Sequence, residues 1–135
     1  MDYLFELPFK VRDYECDLQG IVNNSVYQNY LEHTRHEFLE QVGLNFAQMH
    51  TDGVDAVVIR VEIDYKQSLR SGDQFVCKLN LSREGHLKFI FMQDIYRLPD
   101  MKLMARGKVT TVTINNKTGR PMLDKNLSEI FNRYL

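Results

Sequence analysis

Only two cysteines occur in the 135 residues, Cys16 and Cys77, and they form no C-x-x-C pair. Two isolated thiols build neither a disulfide framework nor a zinc site, so they are read as reduced thiols of a cytoplasmic protein. Basic runs are also missing: 17 Lys and Arg face 18 Asp and Glu, for a net charge of -1. That balance argues against nucleic acid or an anionic membrane as a partner. No stretch is apolar enough to span a bilayer, and Met1-Asp2-Tyr3-Leu4-Phe5-Glu6 has acids where a secretory leader needs a basic end. Internal repeats, linkers and low-complexity segments are lacking as well. A soluble protein with one domain over residues 1–135 and one core is therefore expected, its partner a small molecule or a second copy of itself.

What is present is strongly patterned. Phe5, Leu7, Phe9 and Val11 alternate with Glu6, Pro8, Lys10 and Arg12, the period of a strand with one buried face, and Pro8 suggests an edge or a bulge. From Ser25 to Val42 the period changes. Tyr27, Leu31, Thr34 and Phe38 fall on one stripe flanked by Tyr30 and Leu39, opposite Asn29, His33, His36 and Glu40, which predicts one long helix. Ser25-Val26-Tyr27-Gln28 offers a capping box at its start, with Asn23 or Asn24 as other caps, and Gly43 marks its end. Beyond residue 54, turn signals at Arg70-Ser71-Gly72-Asp73, Arg83-Glu84-Gly85-His86, Leu98-Pro99-Asp100 and Asn115–Gly119 separate four strands, Val54–Gln67, Gln74–Ser82, Leu87–Arg97 and Lys102–Asn115. In the first of these, Ile59, Val61, Ile63 and Tyr65 alternate with Val58, Arg60, Glu62 and Asp64, as in a half-buried antiparallel sheet. Leu127, Ile130 and Phe131 suggest a short helix in the tail. The sum is an α+β domain in which a five-stranded antiparallel sheet, its last four strands a meander, wraps around one long central helix. Its free edges invite pairing with a second copy, so a homodimer or homotetramer is expected.

Chemistry concentrates in Asp17-Leu18-Gln19-Gly20-Ile21-Val22-Asn23-Asn24, which runs directly into the helix. Unpaired N–H groups at a helix start can polarise a carbonyl oxygen, and Asp17 could direct water onto its carbon. Asp before Gly is also ordinary turn chemistry, and Asn23 and Asn24 serve equally as helix caps. Gly20 is read as permitting a positive φ. His33 and His36 lie beside Glu32 and Glu37 without H-E-x-x-H spacing, so helical ion pairs explain them and no metal is expected. Cys16 and Ser68 have no base placed by sequence to activate them. Arg70, Arg83 and Lys88 are candidate phosphate contacts or plain solvated surface.

The order of elements, with D-x-x-G-x-V-N-N followed by Tyr27, Glu32 and Arg35, resembles the hotdog-fold acyl-CoA thioesterases of the 4-hydroxybenzoyl-CoA thioesterase type. Ile63-Asp64-Tyr65 before Leu69-Arg70-Ser71-Gly72-Asp73, and Thr118-Gly119-Arg120-Pro121 after Val109–Val112, extend the resemblance over nearly the whole chain. It implies a hotdog fold and hydrolysis of acyl-CoA or acyl carrier protein thioesters without a cofactor. It also implies Asp17 as nucleophile or general base and the Asn24 N–H as oxyanion donor. Gly20, Val22, Asn23 and Tyr27 would surround the substrate, and Glu32 would be a rival acid on the helix, unless it pairs with Arg35. Many relatives carry a histidine where Asn24 or Ile21 stands here. An asparagine cannot shuttle a proton near neutral pH, which implies modest turnover, an unusual substrate, or a non-catalytic module that binds an acyl or aromatic ligand.

Overall fold

The computed structural model describes residues 2–135. Half-buried Phe5, Leu7 and Phe9 alternate with exposed Glu6, Pro8 and Lys10 along β1 (Phe5–Lys10). β1 lies at one edge of the sheet, where a residue without an N–H is tolerated. A 3-10 turn at Asp13–Glu15 and a loop lead into α1 (Asn24–Gln41). The cap is Asn23, whose Oδ1 accepts the Ser25 N–H at 3.1 Å and the Ser25 hydroxyl at 3.0 Å. Ser25 therefore sits inside the first turn rather than capping it. At the other end Gly43 adopts a φ of 90°. Its N–H donates to Glu40 O at 3.1 Å and the Leu44 N–H to Leu39 O at 3.0 Å, the paired bonds of a Schellman stop. A six-residue helix α2 (Phe46–Thr51), capped by Asn45, was not foreseen from the sequence.

Strands β2 (Val54–Tyr65), β3 (Gln74–Glu84), β4 (Lys88–Leu98) and β5 (Lys102–Asn115) follow, then a two-residue β6 (Pro121–Met122) and α3 (Lys125–Asn132). Their extents lie within two residues of the sequence expectation, but the order does not follow a meander. The sheet runs β1-β3-β4-β5-β2, all antiparallel, with β6 beside β5 as a sixth strand. The connection between β2 and β3 passes the amino end of α1, where the Leu69 N–H donates to the Tyr27 hydroxyl at 3.0 Å. It thereby separates β2 from β3, and β2 pairs with β5 instead. Nor is β2 half-buried. Its register slips between Val58 and Arg60, and Val58, Ile59, Val61 and Tyr65 are 45, 51, 37 and 44% exposed. The slip breaks the alternation, and β2 is the free edge opposite β1.

The stripe on α1 is buried as the period requires, Tyr27, Tyr30, Leu31, Thr34, Phe38 and Leu39 all facing the sheet, and Arg35 is buried with them. Gln93, in the middle of β4 and fully buried, fixes how the helix sits. Its Nε2 donates to the Leu31 carbonyl at 2.9 Å and its Oε1 accepts from Arg35 Nη1 at 3.1 Å. Opposite Gln93 on β5 lies Gly107, where an added Cβ would come within 2.7 Å of Leu31 Cδ1. The missing side chain lets helix and sheet approach. No helix among the described residues is long and apolar enough to cross a membrane.

Gln93→Leu keeps the volume but leaves the Leu31 carbonyl without its sheet partner and the buried Arg35 guanidinium unpaired. The carbonyl keeps its bond within the helix, so the cost of about 1–3 kcal/mol falls mainly on the guanidinium, and the urea midpoint should drop clearly at an unchanged m-value.

Candidate active site

The loop from Cys16 to Asn23 closes on itself before it meets the helix. The Asp17 N–H donates to Ile21 O at 2.9 Å and the Gly20 N–H to Asp17 O at 3.0 Å, a tight turn that Gly20 completes at a φ of 80°. Asp17 Oδ1 accepts from the Gln19 N–H at 2.9 Å and more weakly from the Ile21 N–H at 3.4 Å. Its Oδ2 has no partner among the described residues. One oxygen thus organises the turn while the other stays free, so the turn role does not use up the carboxylate.

The same loop is tied to the helix start and to the connection after β2. Val22 N–H donates to Leu69 O at 2.9 Å, Asn23 N–H to Glu15 O at 3.1 Å, and the Tyr65 hydroxyl to Asn24 O at 3.1 Å. Tyr27 and Tyr65 meet edge to face with ring centroids 5.3 Å apart. Val22 and Tyr27 are buried supports of this junction, the Tyr27 hydroxyl already accepting from Leu69, whereas Asp17, Gly20, Asn23 and Asn24 are exposed. Because Asn23 spends its side chain on Ser25, the Asn24 N–H, first of the helix, has no partner among the described residues. It is a free donor at the positive end of an 18-residue helix.

Other candidates are engaged elsewhere. Glu32 does not pair with Arg35. Its carboxylate lies 3.8 Å from His36, His33 lies 3.9 Å from Glu37, and Arg35 turns inward to Gln93. Burial pulls the Arg35 pKa down, and the charge of Glu32 works against that pull. Among the described residues, no three His, Cys, Asp or Glu side chains gather where they could hold a metal. Arg83 donates to His86 O at 2.8 Å and lies over the Phe89 ring, while Arg70, Lys88 and Ser68 are exposed.

Two cavities flank α1. One of 370 Å³ lies between the helix and the β5–β2 side of the sheet, closed below by α3, and its wall includes Gln28, Glu32, Arg35 and His36. The other, an open groove of 790 Å³, lies between β1, the 3-10 turn and the opposite side of α1. Neither is walled by Asp17, Gly20 or Asn24. Gln93 and Arg35 were not foreseen as organisers of this region, since only contact across 58 residues of sequence joins them.

Residues 11–129 match the thioesterase-like superfamily, and the chain belongs to that family. It is 38% identical over 117 residues to the chloroplastic acyl-acyl carrier protein thioesterase ATL3 of Arabidopsis thaliana, covering 87% of this chain but 62% of that one. The long-chain acyl-CoA thioesterase FadM of Escherichia coli is 28% identical over 113 residues, 84% of this chain and 85% of its own. Among solved structures, a hypothetical protein from Aquifex aeolicus superposes with a TM-score of 0.84 at 28% identity, over 93% of this chain and 98% of that one. The fold is the hotdog fold that the motifs suggested, with six strands in place of five.

The cysteines should be sluggish. Burial and then the charge of Asp13 raise the Cys16 pKa, and burial pushes Cys77 up to about 11. A raised thiol pKa means less thiolate at any given pH, so iodoacetamide should modify Cys16 more slowly than a free cysteine at neutral pH. The rate should climb only at higher pH, and Cys77 should react only after unfolding.

Proposed function

We propose that this chain hydrolyses acyl thioesters of coenzyme A or acyl carrier protein. The observation that carries the reading is that one bonded junction holds both a carboxylate oxygen of Asp17 and the N–H of Asn24 without partners among the described residues. The thioester carbonyl would dock with its oxygen on the Asn24 N–H. Asp17 Oδ2 would then attack the carbonyl carbon, or take a proton from a water that does so. Negative charge gathers on the carbonyl oxygen in either route, where the helix end is already oriented to receive it. Collapse of the tetrahedral intermediate expels the thiolate. If Asp17 is the nucleophile, water then cleaves the mixed anhydride and regenerates the carboxylate.

Thioesters need little help to react, which suits a site without a histidine at positions 21 or 24. Gly20 and Asn23 shape the loop and cap the helix, and Val22 and Tyr27 support them from below. A second copy is expected to complete the site. The apolar side chains of β2 are exposed along an unpaired edge, and Leu18, next to Asp17, is fully exposed at 107%. Pairing of β2 with its counterpart would cover that edge in a homodimer, itself able to pair as a homotetramer.

Thiol release from acyl-CoA and acyl carrier protein substrates tests the chemistry. Asp17→Asn should lower kcat by about 10²–10⁴, the range for loss of a general base. Asn24→Pro removes the donor at the one helical position where proline is favoured, so helix content should persist while kcat falls by about 10²–10³. Full activity in Asp17→Asn would move the catalytic acid to Glu32. Wild-type protein that binds acyl-CoA and never releases thiol would be a binding module instead. Sedimentation of the Ile59→Lys, Val61→Lys double variant checks the assembly: a monomer of low activity is expected, and an unchanged oligomer would discard the β2 interface.

A further inference from the structure

We propose that the 370 Å³ cavity between α1 and the β5–β2 side of the sheet binds an aliphatic carboxylic acid, its carboxylate held by Arg35 and its chain by the apolar wall. Arg35 is 8% exposed, and its one hydrogen bond is from Nη1 to the neutral amide of Gln93. Among the described residues no carboxylate comes within 4.0 Å of it, the nearby Glu32 being turned to His36. A guanidinium carries five donors in a planar fork. Here one is used, the residue lines the cavity, and the anion that acts on it, Glu32, stands beyond 4.0 Å. A carboxylate supplies what is missing on both counts, since it takes two parallel N–H bonds and cancels the buried charge.

The remainder of the wall decides what the acid carries. Leu31, Phe89, Phe91, Val109, Val112 and Phe131 present carbon only. Thr111 and Thr113 also line the cavity, but their hydroxyls already donate to Phe89 O at 3.0 Å and Met122 O at 2.5 Å. Apart from Gln28, Glu32, Arg35 and His36, which line the cavity from α1, the wall offers a phenol or a sugar no free partner, and a hydrocarbon chain against it leaves nothing unsatisfied. Lining residues run along α1 from Gln28 to Leu39, about 16 Å at the helical rise, which suits an extended chain. The volume falls in the range of about 300–1,000 Å³ typical of small-molecule sites. In the reading proposed above, such an acid is also what hydrolysis releases, and only that consequence rests on it.

Calorimetry with decanoate and with decanol, its uncharged counterpart, tests the assignment without any turnover. Wild-type protein should bind one decanoate per chain at least tenfold more tightly than decanol, and Arg35→Gln should erase the difference. Thermal melting shows whether that variant folds, and if it does not, the wild-type comparison decides alone. Equal affinity for the two ligands, no binding of either, or an Arg35→Gln protein that still prefers decanoate would overturn the proposal. A change of oligomeric state in Arg35→Gln without decanoate binding would assign the guanidinium to a second copy's acid instead. Selective binding by a protein that releases no thiol would sink the thioesterase reading alone, and active enzyme without selectivity would sink this one alone.

Discussion

The seat of α1 on the sheet is set by the amide of Gln93. Apolar contact holds a helix to a sheet but resists sliding and rotation only weakly, because many arrangements bury nearly the same area. A side-chain amide bonded to a backbone carbonyl on one side and to a guanidinium on the other permits one arrangement. Gln93 sets the height of α1 through Leu31 and its rotation through Arg35, and Gly107 opposite removes the Cβ that would hold the two layers apart. The stripe from Tyr27 to Phe38 then meets the sheet, and the polar side with His33 and His36 faces out.

Two turns before Leu31 the same helix begins, so fixing Leu31 also fixes the start. That end is then tied to neighbours on three sides, by Tyr27 to Leu69, by Tyr65 to Asn24 and by Asn23 to Glu15. Such cross-ties let an exposed loop hold a defined shape. Exposure alone would make the Asp17 loop a mobile tip, and mobility would spoil the orientation that any attack on a carbonyl needs. The bonds made by Asp17 Oδ1 to its own turn act in the same way: they occupy one oxygen and hold the carboxylate in place while the other oxygen stays free.

Local signals were legible in the sequence and remote ones were not. β5 was bounded without error at Lys102 and Asn115, because Pro99, Asp100 and the Asn115–Gly119 turn punctuate it. The buried stripe of α1 followed from the 3.6 period alone. Strand order was misread, because a meander is the economical assumption and nothing in β2 itself says that its neighbour lies some fifty residues on in β5. The alternation of β2 misled for a different reason: the slip at Ile59 re-phases the strand, and its apolar positions look outward from an edge. Arg35 was read as the partner of Glu32, three residues away, because spacing on one helix is all the sequence shows, whereas its actual partner, Gln93, lies on another layer. α2 is too short for a period, and its cue, Asn45 three residues ahead of Gln48, is common in loops.

Two of those misreadings, of β2 and of Arg35, concern groups that this chain alone does not fully satisfy: apolar side chains on a free edge and a guanidinium with unused donors. The free carboxylate oxygen of Asp17 and the N–H of Asn24, which the sequence did single out, belong with them. A structural core is built so that every group finds its partner within the fold, and periodicity reports such cores well. Groups left over after the fold is satisfied are held in place at a cost that packing must offset, and they become useful when something else binds them. In this chain they fall into three sets, along β2, inside the cavity beside α1, and at the junction of Asp17 with the helix. Because α1 borders the cavity and starts at the junction, the two bonds of Gln93 fix one helix that serves both.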